Sequence, residues 1–461
     1  MNISIILAAG EGTRMKSEHA KVMHKVCGLP MLEHVLDASS KAGIEKNVVV
    51  VGHKKEEIME SFAKEGIVFA EQPIHDGAPY GTGYAVMMAM PHVESKSTIL
   101  VLCGDTPLIE PEVLKSLIEH HESGRFSATV LTAFLDNPDG YGRIIRNESG
   151  LLSKIVEQKD ASEEERRTNE INAGIYCFDS DALRDALDSL TNDNSQGEYY
   201  LTDAVGFLVQ EGLNVGAVAA KESTSILGVN SRVQLAEAEK HMRDRINSQH
   251  MAQGVTMINP DTVYIDAGVE IGKDSIIHPG VAIKGSTVIG ENCEIIGNTR
   301  IVDSIVKDNV SIDSSLIECS EVGSESHIGP FAHLRPGSVL GSCVKIGNFV
   351  EVKNSTMLDG SKASHLSYIG DAYVGKNVNI GCGVVFVNYN GVYKSKTIVG
   401  DNAFIGSNSN LIAPLTVEDW GYVAAGSTIT DDVKEGDLSI ARARQVNKEG
   451  WVDKKGFKKQ K

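Results

Sequence analysis

Aliphatic side chains recur every sixth residue through the C-terminal half of the chain. Ile265, Ile271, Ile277, Ile283, Ile289, Ile295 and Ile301 form one frame, Val322, Ile328, Leu334, Leu340, Ile346, Val352 and Leu358 a second, and Val399, Ile405, Leu411, Val417, Val423 and Ile429 a third. That interval is neither the helical period of about 3.6 nor the strand period of about 2. A single strand carrying the first frame would exceed ordinary strand lengths several-fold, so the chain must turn a corner at each repeat. Gly or Pro commonly falls between the aliphatic positions. Hexapeptide repeats of this kind predict a parallel β-helix, in which each rung points one aliphatic side chain inward and only the stack has a core.

The N-terminal half keeps a different rhythm. Residues 3–8 (ISIILA), 47–52 (NVVVVG) and 98–103 (TILVLC) read as buried strands, and residues 30–42 and 54–65 between them as helices, the alternation of an α/β domain. From Ser231 onward, Val233, Leu235, Ala236, Ala238, Met242 and Ile246 form a broken helical stripe, with Ser231 placed to cap it and Gly254 to stop it. A helix of that length spans roughly 30 Å and reads as a rigid connector. The expected organisation is an α/β domain over residues 1–231, a linker helix over 232–253, and a β-helix over 254–461 that ends in a basic tail.

Composition mostly excludes. At 461 residues the chain exceeds one ordinary core. A formal net charge of −18 argues against nucleic acid as the partner and leaves phosphates to local sites. Cysteines 27, 103, 177, 293, 319, 343 and 382 are dispersed and never form a CxxC pair, which indicates neither a disulfide framework nor a zinc site. No stretch has the apolar length of a membrane span, and the first residues lack a basic region and cleavage site, so a cytosolic chain is expected. Beyond Ala441 the charge turns basic, and residues 454–461 are expected to be disordered.

Candidate chemistry begins where residues 3–8 run into Ala9-Gly10-Glu11-Gly12-Thr13-Arg14. With Lys21 nearby, this turn fits either a phosphate cradle or a structural turn with two solvated cations. It matches neither GxxxxGK[ST] nor GxGxxG, which argues against a Walker-type NTPase and a dinucleotide fold. Asp105, in Cys103-Gly104-Asp105, follows a buried strand and either holds Mg²⁺ against phosphate oxygens or caps the next helix. Tyr141-Gly142-Arg143, the stretch IVEQKD at 155–160 and Glu170-Ile171-Asn172 pair strand-like halves with polar groups suited to a sugar. Among the repeats, His333, Arg335, Lys353, His365, Tyr368, Asn379, Asn388, Tyr389 and Lys394 interrupt small and aliphatic residues. Any one alone fits a solvated outward position; together they fit a polar site.

The segments LAAGEGTRM with Lys21, CGDTPL, YGRI, IVEQKDA, EINAG, GEYYLTD and GVN, in this order, are similar to those of sugar-1-phosphate nucleotidyltransferases. With ASHLSYIGDA and NYNG in the repeats, the whole chain resembles the bacterial bifunctional N-acetylglucosamine-1-phosphate uridyltransferase and glucosamine-1-phosphate acetyltransferase family. The resemblance implies a Rossmann-like nucleotidyltransferase domain and a left-handed β-helix. It also implies a cytoplasmic homotrimer with sites between subunits, and a product, UDP-N-acetylglucosamine, that feeds cell-wall and envelope synthesis. Glucosamine 1-phosphate would be acetylated by acetyl-CoA, and N-acetylglucosamine 1-phosphate would then take a uridylyl group from UTP with release of pyrophosphate.

At the first site the resemblance gives Arg14 and Lys21 as catalytic cations on the triphosphate, and Asp105 and Asn230 as Mg²⁺ ligands. Gly142, Glu157 and Asn172 would hold the sugar, and Gln72, Gly81 and Thr82 would read the uracil edge. Residues 73–80 make the loop between Gln72 and Gly81 longer than the family spacing. Leu7, Ala8, Ala9, Gly10, Cys103 and Gly104 would complete the nucleotide-sugar site. At the second site, only a neutral amine attacks the thioester, so a base must take the ammonium proton. Histidine, with an unperturbed pKa of about 6.5, suits the task. His365 is favoured over His333 because it lies in the matching segment. By the same resemblance Arg335, Lys353, Tyr368, Asn379 and Lys394 would bind the sugar phosphate. Cys382, at a position often filled by Ala, would line acetyl-CoA with Asn388, Tyr389, Ser407, Ala425 and Arg442. Two readings compete: ADP-glucose or GDP-mannose pyrophosphorylases, whose hexapeptide tails are regulatory, and a repeat region that is only an oligomerisation scaffold. The number of repeats and the HLSYIGDA and NYNG segments favour catalysis.

Overall fold

The computed structural model describes residues 1–75 and 77–460. Asp76, within the lengthened 73–80 loop, and Lys461, at the end of the basic tail, lie outside the described residues. The chain divides into two compact units, Met1–Arg245 and the remainder from Ile246.

The first unit is built on one sheet. Its strands are β1 (Asn2–Ala8), β2 (Lys46–Val51), β3 (Ile67–Glu71), β4 (Thr98–Cys103), β5 (Ala128–Phe134), β6 (Arg143–Arg146), β7 (Leu152–Val156), β8 (Glu170–Asp179) and β9 (Val215–Ala219). Their order is β9-β5-β8-β4-β1-β2-β3, with the β6–β7 hairpin attached to β8. Neighbours along this path are parallel except around β8, which runs antiparallel to β4 and β5. Strands β1, β2 and β4 are mostly apolar because both faces of the sheet are covered, and the buried Ser4 of β1 donates to Asn47 Oδ1 of β2 at 2.7 Å. Ile3, Ile5, Val48, Val50, Ile99 and Val101 enter one core with α2 (Thr82–Ala89) and α4 (Leu201–Gln210), counting helices α1 (Met31–Lys41) and α3 (Pro111–Gly124) on the opposite side. The alternate residues Ile6, Val49, Val51, Leu100 and Leu102 meet α1 and α3. The chain leaves β1 toward β2 on one side and returns to β4 on the other. The carboxyl ends of β1 and β4 therefore flank a topological switch point, where open α/β sheets bind ligands. Helix α5 (Arg232–Ala252) begins after Ser231, whose Oγ accepts from Gln234 N at 3.3 Å, and the boundary between the units falls within it.

The second unit is a left-handed parallel β-helix with three flat faces of eleven, ten and nine strands. Ile265 sits over Ile283 and Ile283 over Ile301, three hexapeptides to a coil. Leu358, expected to close the second frame from inside, does not do so. Met357 fills that place, fully buried above Leu340, because the chain advances five residues from Val352 instead of six. Similar short steps put Val306, Ile317, Val322 and Val374 inside, and they are why the beat breaks into separate frames. After Phe386 the chain leaves the stack in a loop and rejoins it at Val399, which starts the third frame. The basic tail departs from the expected disorder: Trp451–Lys454 is helical and Phe457–Gln460 forms a 3-10 turn. There Trp451 packs edge-on against Phe457 at 5.6 Å and Lys458 reaches Asp453 at 2.8 Å. No helix among the described residues is long and apolar enough to cross a membrane.

Candidate active sites

Two adjoining cavities of about 360 Å³ each open at the switch point and share Leu7, Thr82, Cys103 and Asp105. The first also takes in Ala8, Ala9, Gly10, Lys21, Gln72 and Gly81. Gly104 stays behind the wall and donates its N–H to Leu7 O at 2.9 Å, tying β4 to β1. Gln72 is 5 % exposed, and its Nε2 has no hydrogen-bond partner, an amide donor held ready at the cavity's far end. Gly12 adopts φ 65°, and a Cβ there would come within 2.7 Å of Lys21 Cβ, so the turn is bare enough for the lysine stem to lie across it. Lys21 Nζ donates to the Asp105 carboxylate and, at 2.7 Å, to Asn230 Oδ1. Asp105 does not cap a helix, since α3 begins only at Pro111. A carboxylate and an amide oxygen with an ammonium already between them suit a hard divalent cation completed by phosphate oxygens and water. Burial pushes the Cys103 thiol up to about 12, which removes it as a nucleophile.

The second cavity is lined by Arg14, Gly142, Glu157, Asn172 and Asn230. Between Asn172 and Tyr176 the register of β8 against β5 shifts, a β-bulge that turns Asn172 toward the cavity. Gly174 makes the bulge possible with φ 72°, and a Cβ there would sit 3.3 Å from Cys103 Sγ. Asn172 is fixed at both ends: Nδ2 donates to Tyr176 Oη at 2.6 Å and Oδ1 accepts from Gly174 N at 3.0 Å. Glu157 accepts from Thr202 Oγ1 at 3.2 Å, and burial holds its carboxyl above the usual range.

In the β-helix the candidate residues fall on two corners. At the turn from the first face to the second, backbone hydrogen bonds step up the stack. Leu366 N donates to Asn348 O at 3.0 Å, Gly383 N to His365 O at 3.4 Å, Asn408 N to Cys382 O at 2.7 Å, and Gly426 N to Ser407 O at 2.8 Å. Asn348, His365, Cys382, Ser407 and Ala425 thus form a column, and Arg442 Cδ would lie 3.6 Å from a Cβ at Gly426, at its upper end. The exposed His365 pairs Nδ1 with Asn348 Oδ1 at 2.7 Å. Because Oδ1 only accepts, Nδ1 carries the hydrogen and Nε2 keeps a free lone pair.

The second face and the corner beyond it carry Arg335, Lys353, Tyr368 and Asn388, with Lys394 in the loop after Asn388. Arg335 meets Glu351 at 2.8 Å; Lys353 meets Asp371 at 3.2 Å; Asn388 bonds Asp371 and approaches Tyr368 Oη at 3.4 Å. The Lys353 ammonium pushes its neighbour Lys394 down, a cationic spot that an anion would relieve. Tyr389 bridges Lys394 within the loop. Asn379 lies on the first face, between Lys362 and Phe404. Within one chain, therefore, Asn379 and the His365 column are not on the corner that holds Lys353, and Asn388 and Tyr389 are not on the corner of Cys382.

Several residues of these sites had no role assigned from the sequence. Thr202, Glu198 and Tyr141 sit inside quoted motifs, which were the available signal. Asn348 lies one coil below His365, and only a register count could have found it.

The first unit matches the family model of the MobA-like NTP transferase domain over residues 4–198, and the β-helix that of the GMPPB C-terminal domain over residues 259–358. Fold and sites together define a nucleotidyltransferase joined to a hexapeptide-repeat β-helix. The chain is 57% identical over 455 residues to the bifunctional protein GlmU of Clostridioides difficile (strain 630), covering 99% of this chain and 98% of that one. It is 53% identical to that of Alkaliphilus metalliredigens (strain QYMF) and 55% to that of Alkaliphilus oremlandii (strain OhILAs), covering 99% of each chain in both cases. The chain belongs to the bifunctional GlmU family. It is a bifunctional transferase of UDP-N-acetylglucosamine synthesis, with uridyltransferase and acetyltransferase activities.

Proposed function

We propose that the sheet unit transfers a uridylyl group from UTP to N-acetylglucosamine 1-phosphate, and that the β-helix first makes this acceptor by moving acetyl from acetyl-CoA to glucosamine 1-phosphate. The observation that carries the reading is Asp105, shared by two cavities, one ending at Gln72 and the other at Glu157 and Asn172. A nucleoside fits the first and a sugar the second, so the α-phosphorus meets the sugar phosphate beside Asp105. Gln72 Nε2 donates to a pyrimidine acceptor, with Gly81 and Thr82 at the same edge. Gly142, Glu157 and Asn172 hold the sugar, while Arg14 and Lys21 take up the charge that builds on pyrophosphate. Asp105 and Asn230 would hold Mg²⁺, which when bound neutralises phosphate oxygens. Assays of pyrophosphate release with each of the four NTPs, and of CoA release with each amino sugar phosphate, test the whole assignment. The expected result is turnover with UTP and with glucosamine 1-phosphate; preference for another base overturns the role of Gln72.

Lys21 Nζ bonds both residues proposed to hold the cation and competes with it for them, so its removal should help a metal that arrives without nucleotide. Lys21→Met is expected to bind Mn²⁺, followed by electron paramagnetic resonance, about tenfold more tightly than the unmodified protein. Equal affinity in the two proteins would take the cation site away from Asp105 and Asn230.

In the β-helix, His365 takes the ammonium proton through Nε2, and Arg335, Lys353, Tyr368, Asn379 and Lys394 bind the sugar phosphate. Cys382, Asn388, Tyr389, Ser407, Ala425 and Arg442 line acetyl-CoA. These groups occupy different corners of the β-helix, which supports a homotrimer whose site is completed between copies. Phe331, Phe349 and Leu366 add support, being 56%, 57% and 60% exposed along the His365 corner, with the two rings stacked at 5.4 Å. A row of large exposed apolar side chains marks an interface. Phe349→Glu is expected to give monomers in analytical ultracentrifugation and to abolish acetyl transfer with His365 intact. A variant that is monomeric and fully active would show the site complete within one chain.

A further inference from the structure

Arg143 opens β6 directly after the Tyr141–Gly142 turn, paired with Ile171 on one side and Val156 on the other. Its side chain is fully buried, yet its pairing is incomplete. Nη1 donates to Tyr141 O, Nη2 lies 3.8 Å from the exposed Asp139 carboxylate, and neither Nε nor Nη2 has a hydrogen-bond partner. A buried guanidinium with unfilled donors weakens a fold relative to an apolar side chain of similar volume. Such a group calls for an explanation outside stability.

What Arg143 holds is the wall of the sugar cavity. Tyr141 and Gly142 line it, and Gly142 O accepts from Asn172 N at 2.9 Å. A Cβ at Gly142 would stand 3.5 Å from Asn172 and 3.6 Å from Glu157 Oε2, so the turn lies between the two groups assigned to the sugar. The Arg143 bond to Tyr141 O ties this turn through a side chain; main-chain bonds tie it too, from Asn172 N to Gly142 O and from Tyr141 N to Pro138 O at 3.3 Å. We infer that Arg143 is a positioning residue for the sugar acceptor: from beneath the cavity it sets the Tyr141–Gly142 turn at the height at which Gly142, Asn172 and Glu157 engage one sugar. The inference rests on the assignment of this cavity to the sugar.

Arg143→Met and Arg143→Lys, made in the full chain, test it. In Arg143→Met the KM for N-acetylglucosamine 1-phosphate is expected to rise about 10–100-fold. The KM for UTP should stay within about twofold, the thermal midpoint should stay level or rise, and acetyl transfer should be unchanged. Arg143→Lys, which keeps a donor for Tyr141 O, should recover part of the loss. An unchanged sugar KM, or a lowered midpoint with both KM values worsened together, overturns the inference, the latter by showing Arg143 to be structural. Asn172→Ala separates the two levels of argument. If it raises the sugar KM while Arg143→Met does not, only the role of Arg143 fails; if neither variant moves it, the sugar cavity itself is misassigned.

Discussion

Replacing His365 by alanine is expected to slow acetyl transfer by about 10²–10⁴-fold and to leave uridylyl transfer at its original rate. Asn348 Oδ1, 2.7 Å from Nδ1, fixes the tautomer and points the Nε2 lone pair outward from the corner. The amine of the acceptor arrives protonated, and without a base in reach only its small neutral fraction attacks the thioester. Release of CoA, followed with a thiol reagent, reads the loss, and pyrophosphate release from the same preparation reads the other site. Asn348→Ala should give a smaller loss, because the imidazole remains but both tautomers become available. Undiminished acetyl transfer in His365→Ala would place the base elsewhere.

Asp105→Ala should lower Mg²⁺-dependent pyrophosphate release by about 10³-fold and spare acetyl transfer. Asp105 stands at the end of β4, where two cavities meet, and Lys21 spans from it to Asn230. Its removal takes the negative charge from that point, so the proposed divalent cation loses its anchor and Lys21 loses the partner that positions it. The carboxylate makes no contribution to helix capping, so the variant should fold with an unchanged far-ultraviolet circular dichroism spectrum. Loss of both activities together would point to misfolding and not to chemistry.

The β-helix was legible in the sequence because its inward residues obey one local rule. Where it slipped, at Leu358, the cause was a five-residue step that buries Met357 and that a fixed interval of six does not follow. The alternation of β1, β2 and β4 with helices was legible for the same local reason, as was Ser231 at the head of α5. The motifs named candidate residues but not their arrangement. The bulge that turns Asn172 depends on Gly174 and on the register of β8 against β5, a relation between strands far apart in the chain. The bridge from Lys21 to Asp105 and Asn230 joins three distant segments. Nor could motif order reveal that His365 and Lys353 face outward from different corners, since that depends on where each coil turns.

The column running from Asn348 through His365, Cys382 and Ser407 to Ala425 climbs one coil per residue, or ~4.8 Å per step and about 19 Å in all. If a long, thin coenzyme arm lies along it, the fold acts as a measuring stick whose graduations are hydrogen-bonded rungs. Length along that edge then comes in whole units: excising one coil moves everything above His365 downward by a fixed amount, and no loop adjustment restores the fraction.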